Sequence, residues 1–182
     1  RRMASSSGMA KHSRSARDFF GTITGCGKAV VVDADALTLL AEKLLRRDDW
    51  ILTPHPGEAA RLLGTDAAAI QRDRLGSVRA IVARYGGVCV LKGAGTLVAT
   101  KDSLPWVCDR GNPGMATAGA GDVLTGIIAA LVAAGCELER AAAAGVLLHA
   151  RAGDRAALGG ERGLVAGDLI AELRAVVNPP WN

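Results

Sequence analysis

Aromatic residues are scarce: two Phe, one Tyr and three Trp among 182 residues, 3% of the chain. Any core must then be assembled from Ala, Val, Leu and Ile, which the 49% hydrophobic content permits. No apolar run reaches the length of a membrane span, because charged or polar residues interrupt each one. The four cysteines, Cys26, Cys89, Cys108 and Cys136, are widely spaced and form no CxxC pair, which argues against a zinc site or a disulfide framework. The N-terminus is polar and basic, without an apolar stretch of the secretory kind. The expectations are a cytoplasmic protein, a reducing environment and no membrane partner.

The net charge of +4 is unevenly spread. Residues 1 to 28 hold six Lys or Arg and one acid, leaving 16 basic and 17 acidic residues for the remainder. The basic excess thus belongs to a Ser-rich N-terminal stretch. Such a stretch is compatible with nucleic-acid contact, but its composition favours a solvated segment, and no nucleic-acid partner is expected. Residues 1–24 read as a poorly ordered or non-native tail, and residues 25–182 as one partial domain.

From Lys28 onward, short apolar runs alternate with helical patterns. Strands are predicted at Lys28–Asp33, Trp50–Leu52 and Val88–Lys92, with an antiparallel pair at Thr96–Lys101 and Pro105–Asp109. Helices are predicted at Asp35–Arg46, Glu58–Leu63, Asp66–Tyr85, Val123–Ala134, Glu137–Leu158 and Gly167–Val177. This order argues an α/β fold with a mostly parallel central sheet flanked by helices and a small antiparallel hairpin. Ligands in such sheets bind at the carboxyl ends of the strands. The turns after Leu52, Leu91 and Asp109 all lie there, so one site is expected to collect them.

The richest stretch is Gly111 to Asp122, GNPGMATAGAGD, just ahead of a helical pattern. Small residues let backbone approach a ligand closely, and the start of a helix offers free N–H groups to an anion. Gly119, Ala120 and Gly121 form the expected anion hole, with Asn112 and Thr117 as polar donors. Asp122 stands at the helix mouth, where a carboxylate can take a proton from an attacking hydroxyl, although Asp is also favoured there for helix capping alone. The turn Thr53-Pro54-His55-Pro56-Gly57-Glu58 offers His55 as a substrate contact and Glu58 as an organiser of water around Mg²⁺; the alternative is a surface turn with a capping carboxylate. Lys92-Gly93-Ala94-Gly95-Thr96 brings a cation and two glycines to a nucleotide, or else forms a hairpin with Lys92 reaching water. Asp33 ends a strand near the same place, and Asp35 reads as a helix cap. His149, within an Ala-rich helix, reads as a packing or surface histidine.

Five segments in one order carry a resemblance: VVDADAL at 31–37, LTPHPGEAARL at 52–62, VLKGAGTLVA at 90–99, GNPGMATAGAGDVLTGIIAAL at 111–131 and GLVAGDLIAEL at 163–173. Over residues 28 to 178 the chain resembles the ADP- or ATP-dependent NAD(P)H-hydrate dehydratases, which share the ribokinase-like fold. The resemblance implies a lyase of metabolite repair, in which a nucleotide phosphorylates the hydroxyl of hydrated NADH or NADPH and phosphate elimination restores the coenzyme. It implies Asp122 as catalytic base and substrate contact, His55 as a further substrate contact, and Lys92, Gly93, Ala94, Gly95, Thr96 and Gly121 as the ADP or ATP site. Mg²⁺ is the implied metal, with Glu58 acting through water. The family loop commonly reads Gly-Gly-Ser-Gly-Asp where this chain has Ala118 to Asp122, and His55 replaces the Asn of the related small-molecule kinases. The chain corresponds to the C-terminal part of such an enzyme, so the N-terminal part of the fold and the epimerase domain of many bacterial members are expected to be missing. Self-association into a homo-oligomer and partnership with an NAD(P)H-hydrate epimerase are further expectations; the alternatives to the dehydratase are a ribokinase-like small-molecule kinase and a truncated inactive remnant that only binds nucleotide or self-associates.

Overall fold

A computed structural model describes residues 14–178. Helix α1 (Arg14–Thr24) precedes strand β1 (Val30–Val32). Then follow α2 (Asp35–Glu42), β2 (Trp50–Leu52), α3 (Pro56–Leu63), α4 (Ala67–Arg72), α5 (Arg74–Tyr85) and β3 (Val88–Leu91). The hairpin β4 (Thr96–Ala99) and β5 (Trp106–Cys108) leads to α6 (Ala120–Ala133), α7 (Leu138–Ala156) and α8 (Ala166–Val177). The sheet runs β1-β2-β3-β4-β5, with β1, β2 and β3 parallel and β4 and β5 antiparallel beyond them. The expected hairpin is therefore not separate: β4 pairs directly with β3, with Val90 opposite Val98.

Strand alternation divides the core into two layers. Val32, Trp50, Leu52, Cys89, Leu91, Leu97 and Ala99 face α2, α3, α4 and α5. Ile51, Val88, Val90 and Val98 face α6 and α7 through Leu124, Ile128, Ala141, Ala142 and Val146. The few aromatics are concentrated where large volume is needed. Trp50 and Tyr85 are fully buried, and each satisfies its polar tip: Nε1 of Trp50 donates to the Gly86 carbonyl at 3.2 Å and the Tyr85 hydroxyl to the Leu62 carbonyl at 2.8 Å. No described helix is long and apolar enough to cross a membrane.

Three expectations are corrected. Residues 14 to 24, assigned to the tail, form α1, whose Phe20 packs against the first core layer while Arg17 reaches Glu42 at 3.0 Å; residues 1–13 lie outside the described residues. The single helix expected over Asp66–Tyr85 is two, because the Asp73 side chain accepts from the Gly76 N–H at 2.8 Å and starts a new helix. Helix α2 stops at Glu42 rather than Arg46. Beyond it the backbone N–H of Arg47 bonds the Tyr85 carbonyl, and its guanidinium grips Asp49 and the Lys28 carbonyl.

Helices α6 and α7 pack most closely at Gly145. A methyl there would lie 2.6 Å from Cγ1 and 3.4 Å from the Cα of Ile128. Overpacking costs about 1–3 kcal/mol, and alanine returns about 1 kcal/mol of helix propensity. Gly145→Ala should therefore lose about 1 kcal/mol in urea unfolding, and Gly145→Val clearly more; equal stability in all three proteins would mean that the helices separate freely here.

Candidate functional site

The carboxyl ends of the three parallel strands converge. The Thr53 N–H and hydroxyl both donate to the Val32 carbonyl at the end of β1, and the Lys92 N–H donates to the Pro54 carbonyl at 2.9 Å. These bonds bring Asp33, His55 and Lys92 to one place. Above them opens a cavity of about 840 Å³, of the size that holds a small ligand. Its wall includes His55, the segment Lys92 to Thr96, residues from Cys108 through Thr117, and Ala120 and Gly121 at the start of α6.

Lys92 is the electrostatic centre. Its ammonium lies 2.8 Å from Oδ1 of Asp33 and 3.8 Å from Oε2 of Glu58. Oδ2 of Asp33 accepts from the Thr125 hydroxyl on α6 at 2.7 Å. A methyl at Gly121 would sit 3.4 Å from Nζ of Lys92, so the ammonium lies directly beneath the first turn of α6. The Ala120 N–H of that turn donates to the Thr117 carbonyl at 3.3 Å, whereas those of Gly121 and Asp122 have no intrahelical acceptors, and Gly119, at φ +84, supplies no side chain to cap them. A cation and a helix N-terminus thus act on the same point of the cavity wall, an arrangement that attracts an anion.

Other residues are occupied differently from expectation. His55 lines the cavity but is also the N-cap of α3: its Nδ1 accepts from the N–H groups of Gly57 at 2.9 Å and Glu58 at 3.3 Å. Those bonds leave the ring proton on Nε2, 3.5 Å from Oε1 of Glu58. Glu58 is buried, and its Oε2 accepts the backbone N–H of His55 at 2.8 Å. Asn112, expected as a donor into the cavity, instead gives its amide to Asp154 on α7 at 3.2 Å, with Gly111 N–H donating beside it. Asp122 falls inside the first turn of α6 rather than before it, because the helix begins at Ala120 and not Val123. It is exposed and stands next to the cavity wall rather than in it. Among the described residues no three His, Cys, Asp or Glu cluster as a metal cage would require.

His149, read as a packing or surface histidine, is a packing one, and its place beside the cavity was not foreseen. It lies in the cavity wall and bonds the Ala120 carbonyl through Nε2 at 2.9 Å, fastening the start of α6 to α7. A signal existed: His149 interrupts an otherwise small and apolar face of α7 formed by Gly145, Val146, Ala150 and Gly153. Met115 completes that wall; Gly153 leaves the notch it fills, since a methyl there would meet its Sδ at 2.3 Å, inside contact distance.

At the site, the surroundings of Asp33 and His149 move both groups from their ordinary titration ranges. Burial pushes the Asp33 carboxyl up, but the bonds from Lys92 and Thr125 and the Lys92 charge together outweigh this and hold it below the usual carboxylate range. Burial holds the His149 ring below the ordinary histidine value; its bond to Ala120 opposes this and the nearby Lys92 charge adds to it. In both cases the unfolded chain binds the proton more readily, so both contributions are present at neutral pH. The His149 contribution starts to fall below about pH 6.5, and that of Asp33 below about pH 3.9, each disappearing as pH drops through its lowered folded value. Urea midpoints should therefore decline in two stages on acidification, and His149→Gln should remove much of the first. Midpoints flat to below pH 5 in the unaltered protein would refute the histidine stage.

Comparison with known proteins follows the same lines. The family model described as NAD(P)H-hydrate dehydratase matches residues 8–174, starting within the segment expected to be a tail. The bifunctional NAD(P)H-hydrate repair enzyme Nnr of Coxiella burnetii is 56% identical over 150 residues, covering 82% of this chain and 31% of that protein. The ADP-dependent (S)-NAD(P)H-hydrate dehydratase of Neisseria meningitidis is 46% identical over 171 residues, covering 87% of this chain and 58% of that one. Among solved structures, the Bacillus subtilis ADP/ATP-dependent NAD(P)H-hydrate dehydratase, co-crystallised with ATP/Mg²⁺ and soaked with CoA, superposes with a TM-score of 0.72 at 30% identity over 81% of this chain and 55% of that one. The chain thus spans about a third of the bifunctional relatives and just over half of the single-function ones.

Proposed function

The chain belongs to the NAD(P)H-hydrate dehydratase family, and from that premise we propose that it carries the nucleotide-gripping and base-bearing part of an enzyme restoring NADH and NADPH from their hydrated forms. The observation that supports this reading most is the Lys92 ammonium beneath the first turn of α6, against Gly121 and one residue from the exposed Asp122. ADP is the proposed phosphoryl donor, in keeping with the name of the Neisseria relative, and ATP the alternative.

The nucleotide lies in the cavity along Lys92, Gly93, Ala94, Gly95 and Thr96, with its terminal phosphate toward the anion hole of Gly119, Ala120 and Gly121. The hydrated nicotinamide ring lies on the outer side, near Asp122 and His55. Asp122 takes the proton of the ring hydroxyl. The hydroxyl oxygen bonds to the terminal phosphorus as the bond to the nucleotide breaks. The ring C–O bond then breaks, phosphate leaves, and loss of a proton from the neighbouring carbon restores the double bond. Phosphoryl transfer requires positioning and charge stabilisation more than covalent help, which suits a site made of backbone N–H groups and one cation.

Mg²⁺ fits only as an ion carried by the nucleotide phosphates and water, because the described residues offer no cage of three ligands. Bound there it would neutralise phosphate charge. Glu58, with Oε2 held by the His55 backbone N–H and Lys92, would meet the ion's water through Oε1, which it shares with Nε2 of His55 at 3.5 Å. A partner epimerase activity is proposed from the bifunctional relatives, which unite repair functions in one longer chain.

The test follows the reduced-nicotinamide absorbance while the protein is incubated with hydrated NADH, Mg²⁺ and either ADP or ATP. Recovery that requires nucleotide is expected. Nucleotide binding without recovery would reduce the chain to a binding remnant and overturn the catalytic reading.

A further inference from the structure

The loop Gly93-Ala94-Gly95 is held from behind by a residue outside every motif discussed so far. Arg74, the first residue of α5, does not line the cavity. Its guanidinium reaches across to the turn between β3 and β4. Nη2 donates to the carbonyls of Leu91 at 3.2 Å, Lys92 at 3.4 Å and Gly95 at 3.2 Å, while Nη1 bonds Oε1 of Gln71 at 2.8 Å. Burial is the one influence on its basicity; no carboxylate among the described residues offsets its charge. A methyl at Gly93 would come within 3.1 Å of Nη1, so the loop lies directly on the guanidinium.

A trans peptide points its carbonyl and its N–H in opposite directions, and the described chain has no cis bond. Arg74 holds the carbonyls of Lys92 and Gly95 toward itself. The N–H of the first of these peptides, that of Gly93, is thereby turned to the loop's other side, which lines the cavity; Thr96 is already paired with Cys108 in the β4–β5 ladder. Gly93 and Gly95 have φ of +131 and +67 and no Cβ, so beyond the bond from the Thr96 hydroxyl to the Gly93 carbonyl at 2.9 Å their flanking peptides have little else to stop them rotating. We propose that Arg74 is a positioning residue for the nucleotide: by fixing these peptide planes it aims the Gly93 N–H into the cavity and sets a positive charge behind it. The inference rests on the nucleotide reading of the cavity given above.

The experiment compares the unaltered protein with Arg74→Gln and Arg74→Lys. ADP affinity is measured by calorimetry, the KM for ADP and for hydrated NADH by absorbance, and thermal unfolding alongside. Arg74→Gln should weaken ADP binding and raise its KM by about tenfold to a hundredfold, the scale of losing hydrogen bonds from a charged group. The KM for the hydrate should stay within about twofold, and kcat at saturating ADP should change far less than the ADP KM. Arg74→Lys, which keeps the charge but not the fork, should fall between. Should Arg74→Gln not fold, Arg74→Lys alone decides, with an ADP KM raised and a hydrate KM unmoved. Equal ADP affinity in folded variants, or both KM values moving together, would overturn the proposal and leave Arg74 as a tie between α5 and the sheet. An unaltered protein that binds no ADP would instead sink the nucleotide reading itself.

Discussion

Asp122→Asn should lower kcat by about 10²- to 10⁴-fold, the usual contribution of a positioned general base, while leaving ADP affinity close to that of the unaltered protein. The two effects separate because of where the residue sits. Asp122 is exposed in the first turn of α6 and beside the cavity, whereas Ala120, Gly121 and Lys92 form its wall. The amide keeps the shape and polarity of the carboxylate and loses only its ability to accept a proton. Turnover at saturating ADP and hydrate, with ADP affinity measured in parallel, distinguishes the outcomes. Turnover within tenfold of the unaltered enzyme would transfer the base role to another group, and lost ADP binding would mean that the carboxylate shapes the anion hole.

Lys92→Met should be the most destabilising change at the site, costing about 3 kcal/mol, the lower end of the range for breaking a buried ion pair. The side chains of Lys92 and Asp33 are only 18% and 11% exposed, and removing the ammonium strands the carboxylates of both Asp33 and Glu58. The double variant Lys92→Met/Asp33→Asn returns the cluster to its original net charge, with Glu58 as its remaining carboxylate, and Asn can still accept the Thr125 hydroxyl. It should regain most of the stability in urea titration but none of the nucleotide affinity. A double variant as unstable as the single one would show that packing of the lysine stem matters more than charge.

Much of the framework was legible because buried strands declare themselves. Val30 to Val32, Trp50 to Leu52 and Val88 to Leu91 are short apolar runs bounded by turns; the division of their side chains between two layers came only with the fold. Local side-chain bonds were harder to read. The break at Asp73 depends on a carboxylate capping Gly76, which competes with an otherwise continuous helical pattern. The end of α2 depends on Arg47 finding Asp49 and the distant Lys28 and Tyr85 carbonyls.

The site divides in the same way. The convergence of the turns after β2, β3 and β5 follows from strand direction, so His55, Lys92 and Gly121 share one cavity as expected. What each polar group does there depends on partners remote in sequence. Asn112 is diverted by Asp154, 42 residues away. Arg74 sits in the stretch Gln71-Arg72-Asp73-Arg74, which reads as a solvated helix surface, and only the fold brings the β3–β4 turn onto its guanidinium.

Met115 seated in the notch at Gly153 ties two traits that sequence alone would treat as separate. The loop has no freedom to settle at a depth of its own; it is gauged against a helix that begins more than twenty residues later. Any lineage that gained a side chain at that notch would drive its own thioether toward the space the guest molecule occupies. Helical spacing in α7 is thus inherited as bore, and a residue with no chemistry to offer sets how much room the chemistry has.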